Sequence, residues 1–445
     1  MYAGRLRVRS ANSLSLVAVV ALAAQGWSQQ QISNLDRDRA LDMLQVVANE
    51  VRKNYYDPKF HGLDWDAKVA EAKEKIGKTT SMNMALSHIA AALDTLNDSH
   101  TFFLPPEHSN RFDYGWQYQM VGEHCFVTEV RPGSDLEAKG VKPGDEIMTL
   151  NGYAPTRGNL WKMQYVYSVL RPQPALRLSL RDPSGGDRQV EVAAKVRERR
   201  LVTDLTGHDA PADVWDFVRQ GENARLLMRA RSVDFGEPLM ILKIPEFRFA
   251  PAEIDDMISR ARRHSALIID LRGNPGGSVD TLKYLVSGMF DKDLKIADRV
   301  GRKEAKPEVA KASHHEFSGK LVVLVDATSA SAAELFARVM QIEKRGTVIG
   351  DHTSGSVMEA KHYNEHIGLT TMVFYGASIT EWDLIMADGK SLEHTGVTPD
   401  EIVLPSAMDL AAGRDSVMSH AAQLLGVNLS PEKAGKLFPY EWPPE

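Results

Sequence analysis

The chain has 445 residues, a net charge of −6 at neutral pH and 25% charged residues. This length predicts two or three domains and a sizeable core. The balanced composition argues against a nucleic-acid-binding patch and against a disordered acidic protein. Cys125 is the only cysteine, so the chain forms no internal disulfide and its cysteine usage is uninformative about its compartment.

The N-terminal segment has the pattern of a secretory signal peptide. Arginines precede the apolar run Leu14–Ala24, which is short for a bilayer span, and Ala21-Leu-Ala23 is a small-x-small cleavage pattern. We predict that residues 1–28 are a signal peptide and that the mature protein is periplasmic or secreted, without stable membrane insertion. The alternative is an uncleaved membrane anchor.

Apolar residues at helical spacing follow, which predicts an N-terminal helical region over residues 35–106. The helical pattern stops at the polar turn Leu96-Asn-Asp-Ser-His-Thr101, which contains Ser99 and His100. In such a turn His100 is either a structural hydrogen-bonding residue or a catalytic base.

Residues 112–198 change to strand-like patterns. Phe126–Val130 alternates like a half-buried strand, Asn151-Gly152 is typical of a two-residue hairpin, and Trp161–Leu170 follows as a helix. The run Gly133-Ser-x-x-x-x-x-Gly-Val-Lys-Pro-Gly-Asp-Glu-Ile147, with that Asn-Gly turn, resembles a PDZ domain, a β-rich α+β module. The resemblance implies that the module binds peptide C-termini by strand addition, although residues 114–121 match the carboxylate-binding loop poorly.

No motif marks residues 199–236, which we assign as a connecting segment. Strands then alternate with helices, which predicts an α/β core over residues 237–425, followed by a C-terminal tail over residues 426–445. Within this core an apolar strand runs into Asp270-Leu-Arg-Gly-Asn-Pro-Gly-Gly277. The glycines permit a tight loop whose backbone closely approaches another group, or a plain turn after a buried strand.

A second loop of the core has the features of a nucleophile turn. The apolar run Leu321–Val325 predicts a strand buried on both faces, and a helical pattern follows Glu334. Small and hydroxyl residues between them would direct a serine and several backbone N–H groups towards one point, beside a helix N-terminus. The simpler interpretation is a capped helix with Ser329 or Ser331 as N-cap.

These motifs together resemble those of the S41 serine peptidases, the C-terminal processing and tricorn-type proteases, and they occur in the same order along the chain. The set comprises the Ser-His turn, the PDZ-like run, the glycine loop, Ser329-Ala-Ser-Ala-Ala-Glu334 and Ser391-Leu-Glu-His-Thr-Gly-Val-Thr-Pro-Asp400. The resemblance implies an α/β fold, with a crotonase-like core of ββα units, a C-terminal helical part and the PDZ domain inserted ahead of the core.

The resemblance also implies site residues. The family nucleophile matches Ser331, with Ser329 as the second candidate, and the oxyanion donors match the N–H groups of Gly277 and Ala332. Processing peptidases use a lysine base, but Ser356 stands at that position, and the nearby Lys361 would need a different loop to reach the site.

Tricorn-type relatives use a histidine base instead, and their pattern matches His100, supported by Ser99 and Glu393. Glu334 is expected to be a structural partner at the helix start. Two further histidines, His352 and His362, are more remote candidates for the base.

We find no metal or cofactor pattern in the sequence. The adjacent His314 and His315 lack the spacing of two ligands on one helical face, and the glycine loop lacks the lysine of a phosphate loop. The sequence therefore predicts an exported serine endopeptidase acting on unfolded or C-terminal protein segments, presented by the PDZ domain. The alternatives are an inactive binding protein of the same fold and a hydrolase of a non-peptide acyl substrate; the oligomeric state stays open.

Overall fold

The computed structural model describes residues 32–108, 110–198, 227–313, 315–368 and 372–443. The predicted signal peptide, most of the connecting segment and His314 lie outside the described residues. Within these ranges, no helix is both long and apolar enough to cross a membrane.

Three helices form the N-terminal region, as the apolar periodicity predicts. They are α1 (Asn34–Asn54), α2 (Trp65–Lys78) and α3 (Met82–Asp94). Each begins at a side chain that accepts a hydrogen bond from the first helical turn, namely Ser33, Asp64 and Ser81. The turn that carries Ser99 and His100 follows α3, and β1 (Phe102–Leu104) leads the chain away from it.

The residues predicted to form the inserted module are a β-rich unit with short helices. Its strands are β2 (Asn110–Asp113), β3 (Trp116–Val121), β4 (His124–Val130), β5 (Glu146–Leu150), β6 (Ala175–Arg181), β7 (Asp187–Ala193) and β8 (Lys195–Glu198), and its helices are α4 (Asp135–Ala138) and α5 (Leu160–Tyr165). Strands β3 to β7 form one antiparallel sheet in chain order, and β2 pairs with β8 where the chain enters and leaves.

Two details of this module bear on the sequence predictions. Asn151 and Gly152 both have positive φ, 49° and 87°, as a two-residue hairpin turn requires. The helix predicted to reach Leu170 changes at Val166 into a π-helical turn over Val166–Leu170. The assignment of the module as a PDZ domain stays a prediction.

The α/β core contains a six-stranded sheet. The elements of the whole core, in chain order, are β9 (Arg231–Asp234), β10 (Leu239–Lys243), α6 (Pro251–Ala261), β11 (Ala266–Asp270), α7 (Val279–Ser287), β12 (Leu294–Gly301), β13 (Glu308–Ala310), β14 (Lys320–Val325), α8 (Ala332–Ile342), β15 (Thr347–Gly350), β16 (Met358–Ile367), β17 (Val373–Met386) and β18 (Glu401–Ile402). The sheet order is β18-β15-β14-β11-β10-β9, and all neighbours are parallel except β9 with β10. Residues 231–234, predicted as connecting segment, therefore belong to the sheet.

A second sheet joins the N-terminal turn to the core. Its order is β1-β17-β12-β13, and β16 pairs along β17. The register places Phe102 opposite Ser378, so the Ser99–His100 turn is held against the core although nearly 280 residues separate the two strands in sequence.

The C-terminal segment packs on the parallel sheet, where the sequence predicted a tail after residue 425. Its helices are α9 (Ala407–Ala411), α10 (Ser416–Leu424) and α11 (Pro431–Ala434). Leu429 and Ala434 are buried in the same apolar cluster as strand residues such as Ile241 and Val322. Burial of these side chains removes apolar surface from water, which fixes the segment in place.

Polar contacts hold the inserted module to the rest of the chain. Arg157 donates to the carboxylate of Asp351 at 2.6 Å and to the carbonyl oxygen of His352 at 3.1 Å, both in the loop after β15. Asp351 also accepts from the N–H of Gly122 at 2.8 Å. On another side, the Arg131 guanidinium lies 4.8 Å from the ring centroid of Trp442.

We expect Arg157→Ala to lower the free energy of unfolding by about 2 kcal/mol, because it leaves the buried Asp351 carboxylate without its cationic partner. The matched control is Arg181→Ala, whose ion pair with Asp187 is exposed and should contribute little to stability. Urea unfolding of the three proteins measures both effects. Equal stability of the two variants would contradict the docking role of Arg157.

Candidate active site

Ser331 lies at the junction of β14 and α8 in a strained conformation. It has φ 54° and ψ −118°, a region that residues other than glycine rarely adopt. It is the N-cap of α8, so its side chain stands at the positive end of the helix dipole. Such strain in a small residue beside a helix N-terminus is typical of a functional turn.

The neighbouring Ser329 is in a different environment. Its side chain is fully buried, and its hydroxyl donates to the carbonyl oxygen of Leu271 at 2.8 Å. A hydroxyl that is enclosed and already hydrogen bonded has no access to a substrate. The geometry therefore favours Ser331 over Ser329 as the nucleophile.

The glycine loop after β11 packs directly against Ser331. A Cβ atom on Gly276 would lie 2.6 Å from the Cβ of Ser331 and 2.9 Å from the carbonyl oxygen of Ala330. Gly276 also has φ +100°, so both its backbone conformation and its close approach require glycine. The sequence directed attention to Gly277, and only the packing reveals the role of Gly276.

The two predicted oxyanion donors flank this contact. Ala332 is the first residue of α8, where the helix itself supplies no acceptor for the N–H group. The Phe247 N–H donates to the carbonyl oxygen of Gly276, and the Ser278 N–H donates to the carbonyl oxygen of Phe247. These two bonds flank Gly277, so its own N–H points away from Phe247. Within the described part of the chain, neither N–H group has an acceptor, as a site for a developing oxyanion would require.

Glu334 ties the Ser331 turn to the loop after β15. Its side chain is fully buried and accepts from the N–H groups of Ser331, Gly355 and Ser356 and from the Thr353 hydroxyl. Burial raises the pKa of Glu334 to about 7, and these four hydrogen bonds act in the opposite direction. The expected structural role of Glu334 is thus to hold two loops together.

Ser99, His100 and Glu393 form one hydrogen-bonded row. The Ser99 hydroxyl lies 2.8 Å from a Glu393 carboxylate oxygen and 2.7 Å from Nδ1 of His100, and the Ser99 N–H donates to the other Glu393 oxygen at 2.7 Å. Burial raises the pKa of Glu393, while its hydrogen bonds from Val357 and Ser99 lower it. Since every partner of the carboxylate within hydrogen-bond distance is a donor, the arrangement fits the ionised form.

This row determines the tautomer of His100. The single hydroxyl proton of Ser99 points to Glu393, so Ser99 can only accept from His100 Nδ1. Nδ1 must then carry the imidazole proton, and Nε2 keeps its lone pair. Burial lowers the pKa of His100, the nearby His362 adds to this, and Asp98 opposes it. The imidazole is therefore neutral near pH 7 and suited to act as a base.

One peptide unit connects this row to Ser331. The carbonyl oxygen of Ser356 accepts from the Ser331 N–H at 2.9 Å, and the N–H of Val357 donates to Glu393 at 2.9 Å. These two groups belong to the same planar peptide bond. The structure thus joins Ser331, Glu393, Ser99 and His100 in one network, and the sequence offered no signal for Val357.

The other candidates for the base are in different environments. Lys361 is exposed on β16 with its Nζ 5.4 Å from the ring centroid of Tyr363. His352 contacts Thr398, and His362 is exposed on β16. Ser356, at the position expected for a lysine, places its hydroxyl 2.8 Å from that of Ser354. His315 is exposed.

The sequence model of peptidase family S41 matches residues 239–403, which contain the glycine loop, Ser331 and Glu393. Among curated relatives, the tail-specific protease of Haemophilus influenzae is 24% identical over 70% of this chain and 44% of its own length. The carboxy-terminal processing protease CtpA of Bacillus subtilis is 24% identical over 81% of this chain and 68% of its own length. The chain thus spans less than half of the Haemophilus protein.

Among solved structures, the fold is similar to that of mature CPAF complexed with lactacystin. The TM-score is 0.63 at 18% identity, over 85% of this chain and 96% of the other. At this identity the likeness concerns the fold.

We expect Gly276→Ala to lower the free energy of unfolding by about 3 kcal/mol, from the positive φ and from the overlap with Ser331. Gly273→Ala in the same loop is the matched control. Gly273 has φ +77°, but a Cβ atom added to it would meet no other atom within 4 Å, so only about 1 kcal/mol should be lost. Thermal unfolding of both variants measures the difference, and equal midpoints would disprove the close contact.

Proposed function

We propose that the chain is a serine endopeptidase that forms an acyl-enzyme on Ser331, which lies within the residues that match the peptidase family S41 model, 239–403. Its substrates are unfolded or C-terminal segments of proteins. The proposal assigns Ser331 as nucleophile, His100 as base, Ser99 and Glu393 as supporting residues, and the N–H groups of Gly277 and Ala332 as oxyanion donors.

The observation that carries the proposal is the hydrogen-bonded row of Glu393, Ser99 and His100. It leaves the Nε2 lone pair of His100 available, which is what a general base needs. It also supplies a carboxylate that stabilises positive charge on the imidazole through Ser99. The exposure of Lys361 on β16 argues for this arrangement and against a lysine base.

The reaction follows from these roles. His100 Nε2 takes the proton of the Ser331 hydroxyl as its oxygen attacks the substrate carbonyl carbon. The negative charge that develops on the carbonyl oxygen is stabilised by the N–H groups of Gly277 and Ala332. The imidazolium then gives its proton to the leaving amine, and water hydrolyses the acyl-enzyme with His100 again as base.

Substrate presentation by the inserted module is supported by a cavity of about 670 Å³ between the module and the core. Residues 117–121 of β3 line it, together with Pro275 of the glycine loop and Thr328 of the Ser331 turn. In the described sheet β3 pairs only with β4, so its other edge can take up an added peptide strand. An extended segment bound there would lie close to both catalytic loops.

Export of the enzyme rests on the predicted signal peptide.

Labelling with a fluorophosphonate probe tests the catalytic assignment. We expect the mature wild type to be labelled, Ser331→Ala to show no labelling, and His100→Ala to be labelled about 10²-fold to 10⁴-fold more slowly, because it lacks the base. Lys361→Ala is the control and should match the wild type.

Loss of labelling in Lys361→Ala, with labelling retained in His100→Ala, would instead identify a lysine base. A wild type that stays unlabelled even with an unfolded protein substrate would identify a binding protein. Parallel assays with ester and peptide substrates separate a peptidase from a hydrolase of other acyl groups.

The rate of labelling should fall on the acid side as His100 gains a proton. Because burial lowers the pKa of His100, we expect the midpoint of this fall below pH 6.5. Measuring the rate between pH 4.5 and 8.5 gives the midpoint. A midpoint near pH 7 would contradict this assignment and implicate Glu334, whose pKa is about 7.

A further inference from the structure

Asp326 lies at the C-terminal end of β14, between the two catalytic loops. Its side chain is buried, with 9% of its surface exposed. One carboxylate oxygen, Oδ1, accepts from the Gly273 N–H at 3.1 Å, the Thr328 N–H at 3.0 Å, the Thr328 hydroxyl at 2.7 Å and the Ser329 N–H at 3.0 Å. A single oxygen therefore binds the start of the glycine loop and the start of the Ser331 turn.

The two loops have few other polar links. The Ser329 hydroxyl donates to Leu271, and the Ala330 N–H donates to the carbonyl oxygen of Asn274 at 2.9 Å. Both of these involve groups on the loops themselves. Asp326 directly follows strand β14, and a carboxylate oxygen forms stronger hydrogen bonds than a neutral carbonyl.

Catalysis on Ser331 requires that donors from both loops reach the same oxyanion. A displacement of about 0.5 Å between the loops would move the N–H of Gly277 relative to that of Ala332, so that the two groups would no longer both point at the reacting oxygen. We propose that Asp326 is a positioning residue that sets the glycine loop against the Ser331 turn and so fixes the spacing of the oxyanion donors. This inference rests on the proposed function, and it assigns Asp326 no contact with the reacting atoms.

The second carboxylate oxygen has a separate partner. Oδ2 accepts from the Gln119 side chain, on β3 of the inserted module, at 3.3 Å. This bond joins the module to the loops but does not join the loops to each other. Because Gln119 lies on the proposed peptide-binding edge, a control for the role of Oδ1 has to come from another part of the chain.

The test compares peptide cleavage by the wild type, Asp326→Ala, Asp326→Asn and, as a control, Arg181→Ala, which removes only an exposed ion pair with Asp187. We expect kcat of Asp326→Ala to fall about 10²-fold with KM changed less than about twofold, because the loss concerns the transition state. Asp326→Asn keeps an acceptor oxygen and the side-chain shape, so its kcat should fall only about tenfold. Arg181→Ala should retain kcat within about twofold.

A peptide aldehyde gives a readout that a general loss of structure would not reproduce. Its adduct with Ser331 places an oxygen in the oxyanion site, so its inhibition constant should rise by about the same factor as kcat/KM falls. Peptide binding measured in the Ser331→Ala background should not change on adding Asp326→Asn.

Three outcomes overturn the proposal. They are an unchanged kcat in Asp326→Ala, a fall in kcat matched by an equal loss of peptide binding, and an unchanged aldehyde affinity in a variant with reduced kcat. If Asp326→Ala does not fold, the same criteria apply to Asp326→Asn, whose expected tenfold loss remains measurable. A wild type without peptidase activity or labelling overturns the proposed function as well, whereas an active wild type matched by Asp326→Asn and Asp326→Ala overturns this inference alone.

Discussion

The peptide bond between Ser356 and Val357 is the constraint on which the candidate site depends. Its carbonyl group accepts from the backbone of Ser331, and its N–H group donates to Glu393. Because a peptide unit is planar and rigid, these two bonds fix how far the serine turn lies from the row that orients His100. Glu334 holds the same loop from its other side, so residues from distant parts of the chain meet through backbone groups.

Two buried carboxylates have complementary tasks in this arrangement. Glu334 organises the loops around Ser331, and Glu393 organises the Ser99–His100 turn. Each is surrounded by N–H and hydroxyl donors, which compensate for part of the cost of removing the charge from water. They lie on different structural elements, so the Ser331 turn and the Ser99–His100 turn are each held by a separate carboxylate.

The sequence predicted much of this organisation because periodicity and turn chemistry are local. It identified the buried strand before Ser331, the N-terminal helices, the Asn151-Gly152 hairpin and the alternation of strands and helices in the core. Resemblance to a family directed attention to Ser331, His100, Ser99 and Glu393, which the structure joins in one network. The assignment of their catalytic roles remains a proposal.

The features that escaped prediction arise from contacts between residues far apart in sequence. Nothing local distinguishes Gly276 from Gly277, and only the approach of Ser331 shows why the first must lack a side chain. At position 356 the sequence has a serine where processing peptidases have a lysine. In the structure it is the backbone carbonyl group of Ser356 that contacts the Ser331 turn. Strand β9 and the packing of residues 426–443 were missed because short strands and short helices carry weak periodic signals.

The anchoring of the inserted module limits how it can be exchanged between proteins. Arg157 binds Asp351 in the core, and Arg131 stacks on Trp442 near the C-terminal end of the described chain. These partners lie roughly 150 residues or more beyond the end of the module in sequence. A chimera that replaces residues 110–198 alone would therefore leave the carboxylate of Asp351 and the ring of Trp442 without their cations. The module therefore has to be exchanged together with Asp351 and Trp442, although these residues lie far from it in sequence.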